Sequence, residues 1–203
     1  SEYLSPRYQV VVANPPYLGR NYFFTNLKEF AEENFKDSKL DFFSMFIEWT
    51  IEHTQHGGFV AFMTPYTWLL IKTYSKFREN LFNSVTFSSL VKPEYHAFFE
   101  SAAVPICTFV LQKTLNSARK AVYIDLSDTS GSIQQPIEFL RTLAQKNHRY
   151  SLASTNDFTQ IPSKPIITSL NDRLVKVLSA PVRLHNSADV RKGLSTGKNE
   201  RFI

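Results

Sequence analysis

Short runs of apolar, mostly β-branched residues alternate along this chain with longer segments in which apolar residues recur every three or four positions. The first pattern predicts buried strands and the second predicts amphipathic helices. The predicted strands are 10–12, 59–63, 85–91, 104–112 and 121–126. The predicted helices are 27–35, 42–51, 74–82 and 136–146. Strands and helices in this order predict an α/β fold with a doubly wound sheet.

Capping residues and glycines predict where the first helices begin and end. Thr25 has the side chain of an N-cap, and Ser38 and Asp41 have the spacing of a capping box before the second helix. Gly57 and Gly58 predict the end of that helix, since glycine is the usual residue after a helix C-terminus.

The character of the sequence changes in its second half. Residues 150–165 are mostly polar and contain two prolines, so they predict a linker, and 166–178 predict a short helix. We therefore predict an α/β unit in 1–126, a connector in 127–165 and the start of another unit in 166–203.

The segment Asn14-Pro15-Pro16-Tyr17 directly follows the first predicted strand, 10–12. Consecutive prolines cannot donate to a sheet ladder, so the strand must end in a stiff loop at the carboxyl edge of the sheet, where open α/β folds bind ligands. Asn14 Oδ1 and the Pro15 carbonyl can accept both N–H bonds of an exocyclic amine, and Tyr17 can stack on the heterocycle. A plain turn has the same composition, but the position after a strand favours a binding site.

Composition narrows the class of protein. The 203 residues carry a net charge of +5, and five Lys or Arg residues between 183 and 201 predict a polyanionic partner or an ordinary solvated surface. No apolar run reaches about 18 residues, so the sequence predicts no membrane span. Cys107 is the sole cysteine and is predicted to be buried, which fits a reducing cytoplasm. We assign no metal ligands, and the start at Ser1 suggests an excised piece of a longer chain.

The Asn-Pro-Pro-Tyr segment resembles the catalytic motif of class I amino-methyltransferases, above all the N6-adenine DNA methyltransferases. The resemblance implies that Asn14, Pro15, Pro16 and Tyr17 hold a flipped adenine against the methyl group of S-adenosyl-L-methionine. Segment order over 8–112 is similar to the second half of a Rossmann-like methyltransferase sheet, strands four to seven. The predicted unit 1–126 would then be the carboxyl-terminal half of a catalytic domain.

The same resemblance implies further site residues. Phe46 lies where related enzymes place an aromatic near the adenine of the cofactor, although its apolar stripe favours core packing. Residues 94–104 resemble a loop in which Phe99, or its neighbour Phe98, packs against the flipped base. Trp68 is predicted either to line the base pocket or to fill the core.

Residues 193–202 resemble the opening of a target-recognition domain, so Lys198 and Arg201 are predicted to contact the DNA backbone and 166–203 to begin that domain. In this family the glycine-rich and acidic motifs that hold the cofactor precede the catalytic loop. We therefore expect a fragment, inactive in isolation, of an adenine-specific DNA methyltransferase from a restriction-modification or phage-defence system. Double-stranded DNA is the expected partner, together with other subunits of such a system.

Two rival functions share these features. Protein-glutamine methyltransferases also use Asn-Pro-Pro-Tyr around a planar amide, and ribosomal RNA methyltransferases are related, but the long region after Gln112 disfavours such compact enzymes. A catalytically empty DNA-binding scaffold would keep the fold without the cofactor. A glycine-rich loop after a strand upstream of Ser1 would favour an enzyme.

Overall fold

The computed structural model describes residues 6–95 and 104–180, which form one mixed β-sheet with flanking helices. The strands are β1 (Tyr8–Ala13), β2 (Thr54–Pro65), β3 (Thr86–Lys92), β4 (Ile106–Gln112), β5 (Lys120–Asp125) and β6 (Tyr150–Ser154). The helices are α1 (Thr25–Asn34), α2 (Phe42–Glu52), α3 (Thr67–Leu70), α4 (Ser75–Phe82), α5 (Gln134–Gln145), α6 (Thr155–Thr159) and α7 (Asp172–Ser179). None of the helices in these ranges has the length and apolarity needed to cross a bilayer.

The α/β fold predicted from the sequence is confirmed, and its sheet has the order β1-β2-β4-β3-β5-β6. β1 pairs in parallel with β2, and β3 pairs in parallel with β5, whereas β4 lies antiparallel between β2 and β3. β6 is antiparallel to β5. The carboxyl ends of β1, β2, β3 and β5 therefore meet at one edge of the sheet.

One face of the sheet carries the hydrophobic core. Phe62 of β2 and Phe109 of β4 are buried there, in one cluster with side chains of α2, α4 and α6. Trp68 of α3 is fully buried in this cluster, and its indole nitrogen donates to Thr64 Oγ1 at 3.1 Å. Trp68 thus fills the core, which decides between its two predicted roles. Cys107 is buried as predicted.

The second face of the sheet is largely uncovered in the described part of the chain. Val10 and Val12 are 61% and 75% exposed on β1, so the prediction that this strand is buried was wrong for that face. Among the described helices, α5 lies on this side: Phe139 of α5 and Val91 of β3 line the same cavity. The apolar composition of β1 is that of a strand buried on both faces, but the described elements cover one face.

Gly58 allows β1 and β2 to approach closely. A Cβ atom at this position would lie 2.6 Å from the Gln9 carbonyl oxygen and 2.8 Å from Thr54 Cγ2. Gly57 next to it has φ = +80°, which favours glycine. The prediction that these glycines end the second helix was wrong: α2 ends at Glu52, and both glycines lie inside β2. The close approach of the two strands requires glycine at position 58, and the positive φ favours glycine at position 57.

The linker predicted for 150–165 is instead ordered structure. Residues 150–154 form β6, and α6 follows directly with a capping box between Ser154 and Asp157. The fully buried Arg78 guanidinium donates to the carbonyl oxygens of Lys164 at 2.8 Å and Ser163, fixing this segment to α4. A few apolar side chains anchor this largely polar stretch, and the residues directly after it, to the core. They are Ala153, Phe158 and Ile161 within the stretch and Ile166 and Leu170 beyond it.

Gly58→Ala should lower the free energy of unfolding by about 1–3 kcal/mol, because the new methyl group must push β1 away from β2. Gln9→Ala is the matched control, since it removes an exposed side chain at the same contact and keeps the carbonyl oxygen. Urea unfolding of both variants measures the difference. Equal stability of Gly58→Ala and the unaltered protein would show that the two strands are not held this closely.

Candidate active site at the carboxyl edge of the sheet

The Asn-Pro-Pro-Tyr loop leaves the sheet where β1 ends at Ala13. Asn14 and Pro16 are exposed, Pro15 is buried, and Tyr17 is half-buried against the core. Within the described ranges no donor is bonded to the Pro15 carbonyl. The loop thus places an exposed amide side chain, a carbonyl without a bonded donor in the described ranges and a half-buried aromatic ring at the predicted edge.

Hydrogen bonds of the Tyr17 hydroxyl connect the loop to the neighbouring strand. The hydroxyl donates to Asn14 Oδ1 at 2.7 Å and lies 3.3 Å from the Met63 carbonyl oxygen of β2. Burial, and then the proximity of Cys107, raises the pKa of Tyr17, so the hydroxyl keeps its proton near neutral pH. Asn14 and Tyr17, which the sequence assigned to separate tasks, are therefore in direct contact.

The exit of the loop is fixed at the start of α2. Asp41 is the N-cap of this helix, and its carboxylate accepts from the Phe43 amide at 3.3 Å. The predicted capping box, with Ser38 as N-cap and Asp41 as its partner, was therefore wrong, because the helix begins three residues later than that box requires. The Phe42 amide donates to the Leu18 carbonyl at 2.9 Å, and Gly19 forms a β-bridge with Asp41. Burial raises the pKa of Asp41, although bonds from three backbone amides oppose this shift. The prediction that Thr25 is the N-cap of α1 was wrong: Phe24 is the N-cap, and Thr25 is the first residue of the helix.

Phe46 lies at an apolar cleft between α1 and α2. Its ring packs against Phe42 and Trp49, with centroid distances of 6.1 and 6.0 Å, and it also contacts the core. The cleft has a volume of ≈ 330 Å³. Its lining is entirely apolar: Leu27, Phe30, Phe35, Phe42, Met45, Phe46 and Trp49. The position suits the face of a planar ring, and the cofactor contact of Phe46 stays a prediction.

A polar cluster that sequence reasoning missed lies farther along the same edge. Lys92, at the end of β3, pairs with Asp125, at the end of β5, with an Nζ–Oδ2 distance of 3.2 Å. Lys92 Nζ also lies 5.2 Å from the centre of the Tyr66 ring. Burial opposes ionisation of Asp125, but bonds from Ser127 and Thr168 lower its pKa overall. The available sequence signal was a charged residue at or next to the end of each of two predicted strands, 85–91 and 121–126.

Four predicted site residues lie outside the described residues. They are the base contacts Phe98 and Phe99 and the DNA-backbone contacts Lys198 and Arg201. Their roles stay predictions. The described edge brings together Asn14, Pro15 and Tyr17, while Phe46 lies on the neighbouring helix α2.

Comparison with known proteins relates the segment that carries this loop to a family. Residues 3–99, which contain the whole loop, match the family of Eco57I restriction-modification methylases. This segment belongs to that family. Adenine-specific methyltransferase BrxX of Escherichia coli O9:H4 (strain HS) is 30% identical over 165 residues, which cover 80% of this chain and 13% of that protein. Adenine-specific methyltransferase PglX of Lacticaseibacillus casei (strain Zhang) is 28% identical, covering 98% and 17%.

Solved structures support the same fold. The methyltransferase subunit of a type I restriction-modification system from Streptococcus thermophilus has a TM-score of 0.59 and 16% identity to this chain. The match covers 80% of this chain and 38% of that subunit. The chain thus has the fold of a restriction-modification methylase, and it spans less than a fifth of each relative's length.

Asp41→Ala should loosen the loop and lower the free energy of unfolding by about 1 kcal/mol, because the N-cap acceptor of α2 is lost. Asn171→Ala is the matched control, since Asn171 caps α7 with a bond to Leu174 N of 2.9 Å. Trypsin cleavage after Arg20 reports the loop directly. It should accelerate in Asp41→Ala and not in Asn171→Ala; equal cleavage rates would mean that Asp41 stabilises α2 without fixing the loop.

Proposed function

We propose that this chain is part of an S-adenosyl-L-methionine-dependent DNA methyltransferase that transfers a methyl group to N6 of a flipped adenine. It would form the carboxyl-terminal half of the catalytic domain, in a restriction-modification or phage-defence system. The observation that carries the proposal is the loop Asn14-Pro15-Pro16-Tyr17 at the carboxyl edge of a methylase fold. The adenine-specific relatives favour this substrate over a glutamine side chain or ribosomal RNA.

The chemistry needs no protein nucleophile. Asn14 Oδ1 and the Pro15 carbonyl accept the two N–H bonds of the adenine amine, which directs its lone pair out of conjugation with the ring. Tyr17 supports the ring from one face. Most of the acceleration then comes from holding the amine in line with the methyl donor, because orientation converts a bimolecular reaction into an effectively unimolecular one.

The residues of the apolar cleft fit one part of the cofactor. Phe46 would contact the adenine face of S-adenosyl-L-methionine, whose sulfonium supplies the methyl group when it is bound. The uncovered second face of the sheet supports the proposal that further chain completes the cofactor site. A groove of ≈ 380 Å³ begins beside Asn14 and extends over Ala61, Met63 and Val110 on that face. Helices from elsewhere in the complete protein would cover it, as in other doubly wound folds.

Duplex DNA is the proposed partner. A base within a duplex must be extruded before its amine can reach the loop, and a second aromatic residue opposite Tyr17 would hold the extruded ring. We assign this role to Phe99, with Phe98 as the neighbouring candidate. Lys198 and Arg201 would contact the phosphate backbone, and other subunits of the defence system are further candidate partners.

Asn14→Ala in the complete protein should abolish steady-state methyl transfer, leaving only a slow rate detectable in single turnover, and leave cofactor binding nearly unchanged, because it removes one acceptor for the amine outside the cofactor cleft. Asn14→Asp should retain part of the activity, since a carboxylate also accepts the N–H bond. Asn26→Ala, an exposed change on α1, is the control. Transfer of a radiolabelled methyl group to DNA and cofactor titration measure the two effects. Unaltered turnover of Asn14→Ala would exclude the amine-binding role.

Lys198→Ala and Arg201→Ala should weaken binding to cognate and unrelated duplexes alike. The salt dependence should also become shallower, by roughly one unit of slope for each phosphate that the protein no longer neutralises. Lys120→Ala is the control, since this exposed lysine begins β5 at the opposite edge of the sheet. Affinities of the complete protein across a salt series measure both effects. A loss of affinity confined to the cognate duplex would make these residues base readers.

A further inference from the structure

The Tyr17 hydroxyl lies between two acceptors and has one proton. Its distance to Asn14 Oδ1, 2.7 Å, is typical of a strong O–H···O bond, whereas 3.3 Å to the Met63 carbonyl is long. The proton is therefore donated to Asn14. The Met63 carbonyl, in the part of β2 that pairs with β4, is the weaker, alternative acceptor for the same proton.

This bond restricts an acceptor that the loop alone would leave free to rotate. Asn14 is exposed and lies next to two prolines that supply no N–H group, so the loop itself offers its side chain few bonding partners. Oδ1 can accept two hydrogen bonds. Tyr17 occupies one of these positions and leaves the other available to an incoming amine.

The hydroxyl also fixes which way the amide is turned. If the amide were rotated by 180°, its NH₂ group would face Tyr17, and the hydroxyl would have to donate to Met63 over the longer distance. The observed orientation uses the shorter bond. The side-chain oxygen, and not the nitrogen, is thereby held in a defined place.

We propose that the Tyr17 hydroxyl is a positioning group that holds the Asn14 amide ready to accept the target amine, in addition to the stacking role of the Tyr17 ring. This inference rests on the proposed function. It divides one residue into two separable contributions: the ring supports the base, and the hydroxyl acts through Asn14. Preorganising an acceptor in this way raises the rate of the chemical step and leaves substrate capture unchanged.

Tyr17→Phe in the complete protein keeps the ring and removes the hydroxyl. We expect kcat to fall by about fivefold to tenfold, the usual effect of removing one hydrogen bond, with the KM values for DNA and cofactor unchanged within about twofold. The fluorescence of 2-aminopurine, placed at the adenine that product sequencing identifies, should equal that of the unaltered protein. Tyr22→Phe, the same change at an exposed site just beyond the loop, should have full activity.

A double-mutant comparison tests whether the hydroxyl acts through Asn14. In an Asn14→Ala background, Tyr17→Phe should cause no further loss of the residual single-turnover rate, because the acceptor is already absent. Full kcat for Tyr17→Phe alone would overturn the inference. So would a loss that persists undiminished after Asn14→Ala, or one that appears in 2-aminopurine fluorescence.

A crystal structure of the Tyr17→Phe protein supplies a readout that does not depend on activity. The Asn14 side chain should occupy more than one rotamer there and a single rotamer in the unaltered protein. One shared rotamer in both would overturn the inference even if neither protein transferred methyl groups. Absence of transfer by the unaltered protein would instead count against the proposed function.

Discussion

The two prolines after β1 are the constraint on which the candidate site depends. Because Pro15 and Pro16 lack an N–H group, they cannot extend the ladder with β2, and the chain must leave the sheet at its carboxyl edge. Pro15 is buried at this point while Asn14 stays exposed. The exit of the loop is then fixed by backbone bonds to the start of α2, where Asp41 is the N-cap. The backbone that carries the Asn14 acceptor is thereby held in an accessible place, and the Tyr17 hydroxyl orients its side chain.

Much of this arrangement could be predicted from the sequence. The strand before the prolines and the buried Cys107 each follow from a local pattern with a direct physical cause. The contact between Tyr17 and Asn14 could not be predicted in this way, because it depends on where the Met63 carbonyl of β2 lies. The pairing of Lys92 with Asp125 likewise requires the order of the strands in the sheet.

The wrong predictions share a physical origin in tertiary contacts. Gly57 and Gly58 have the composition of a helix end, but a close approach of two strands selects glycine equally well. The polar stretch 150–165 was expected to be a linker, yet β6 completes the sheet edge and Arg78, distant in sequence, holds the following segment. Val12 shows the opposite error. Its strand, β1, has the composition of a strand buried on both faces, but the described elements cover only one of them, and Val12 on the other face is exposed.

In the proposed function, the loop at the end of β1 directs methyl transfer to the amine of adenine. Incubating the complete protein with duplex DNA and S-adenosyl-L-methionine labelled on its methyl group, followed by digestion to nucleosides and mass spectrometry, measures the product directly. We expect label in N6-methyldeoxyadenosine of the DNA. Label in methylated cytosine, in RNA or in a protein glutamine, with none in adenine, would contradict it.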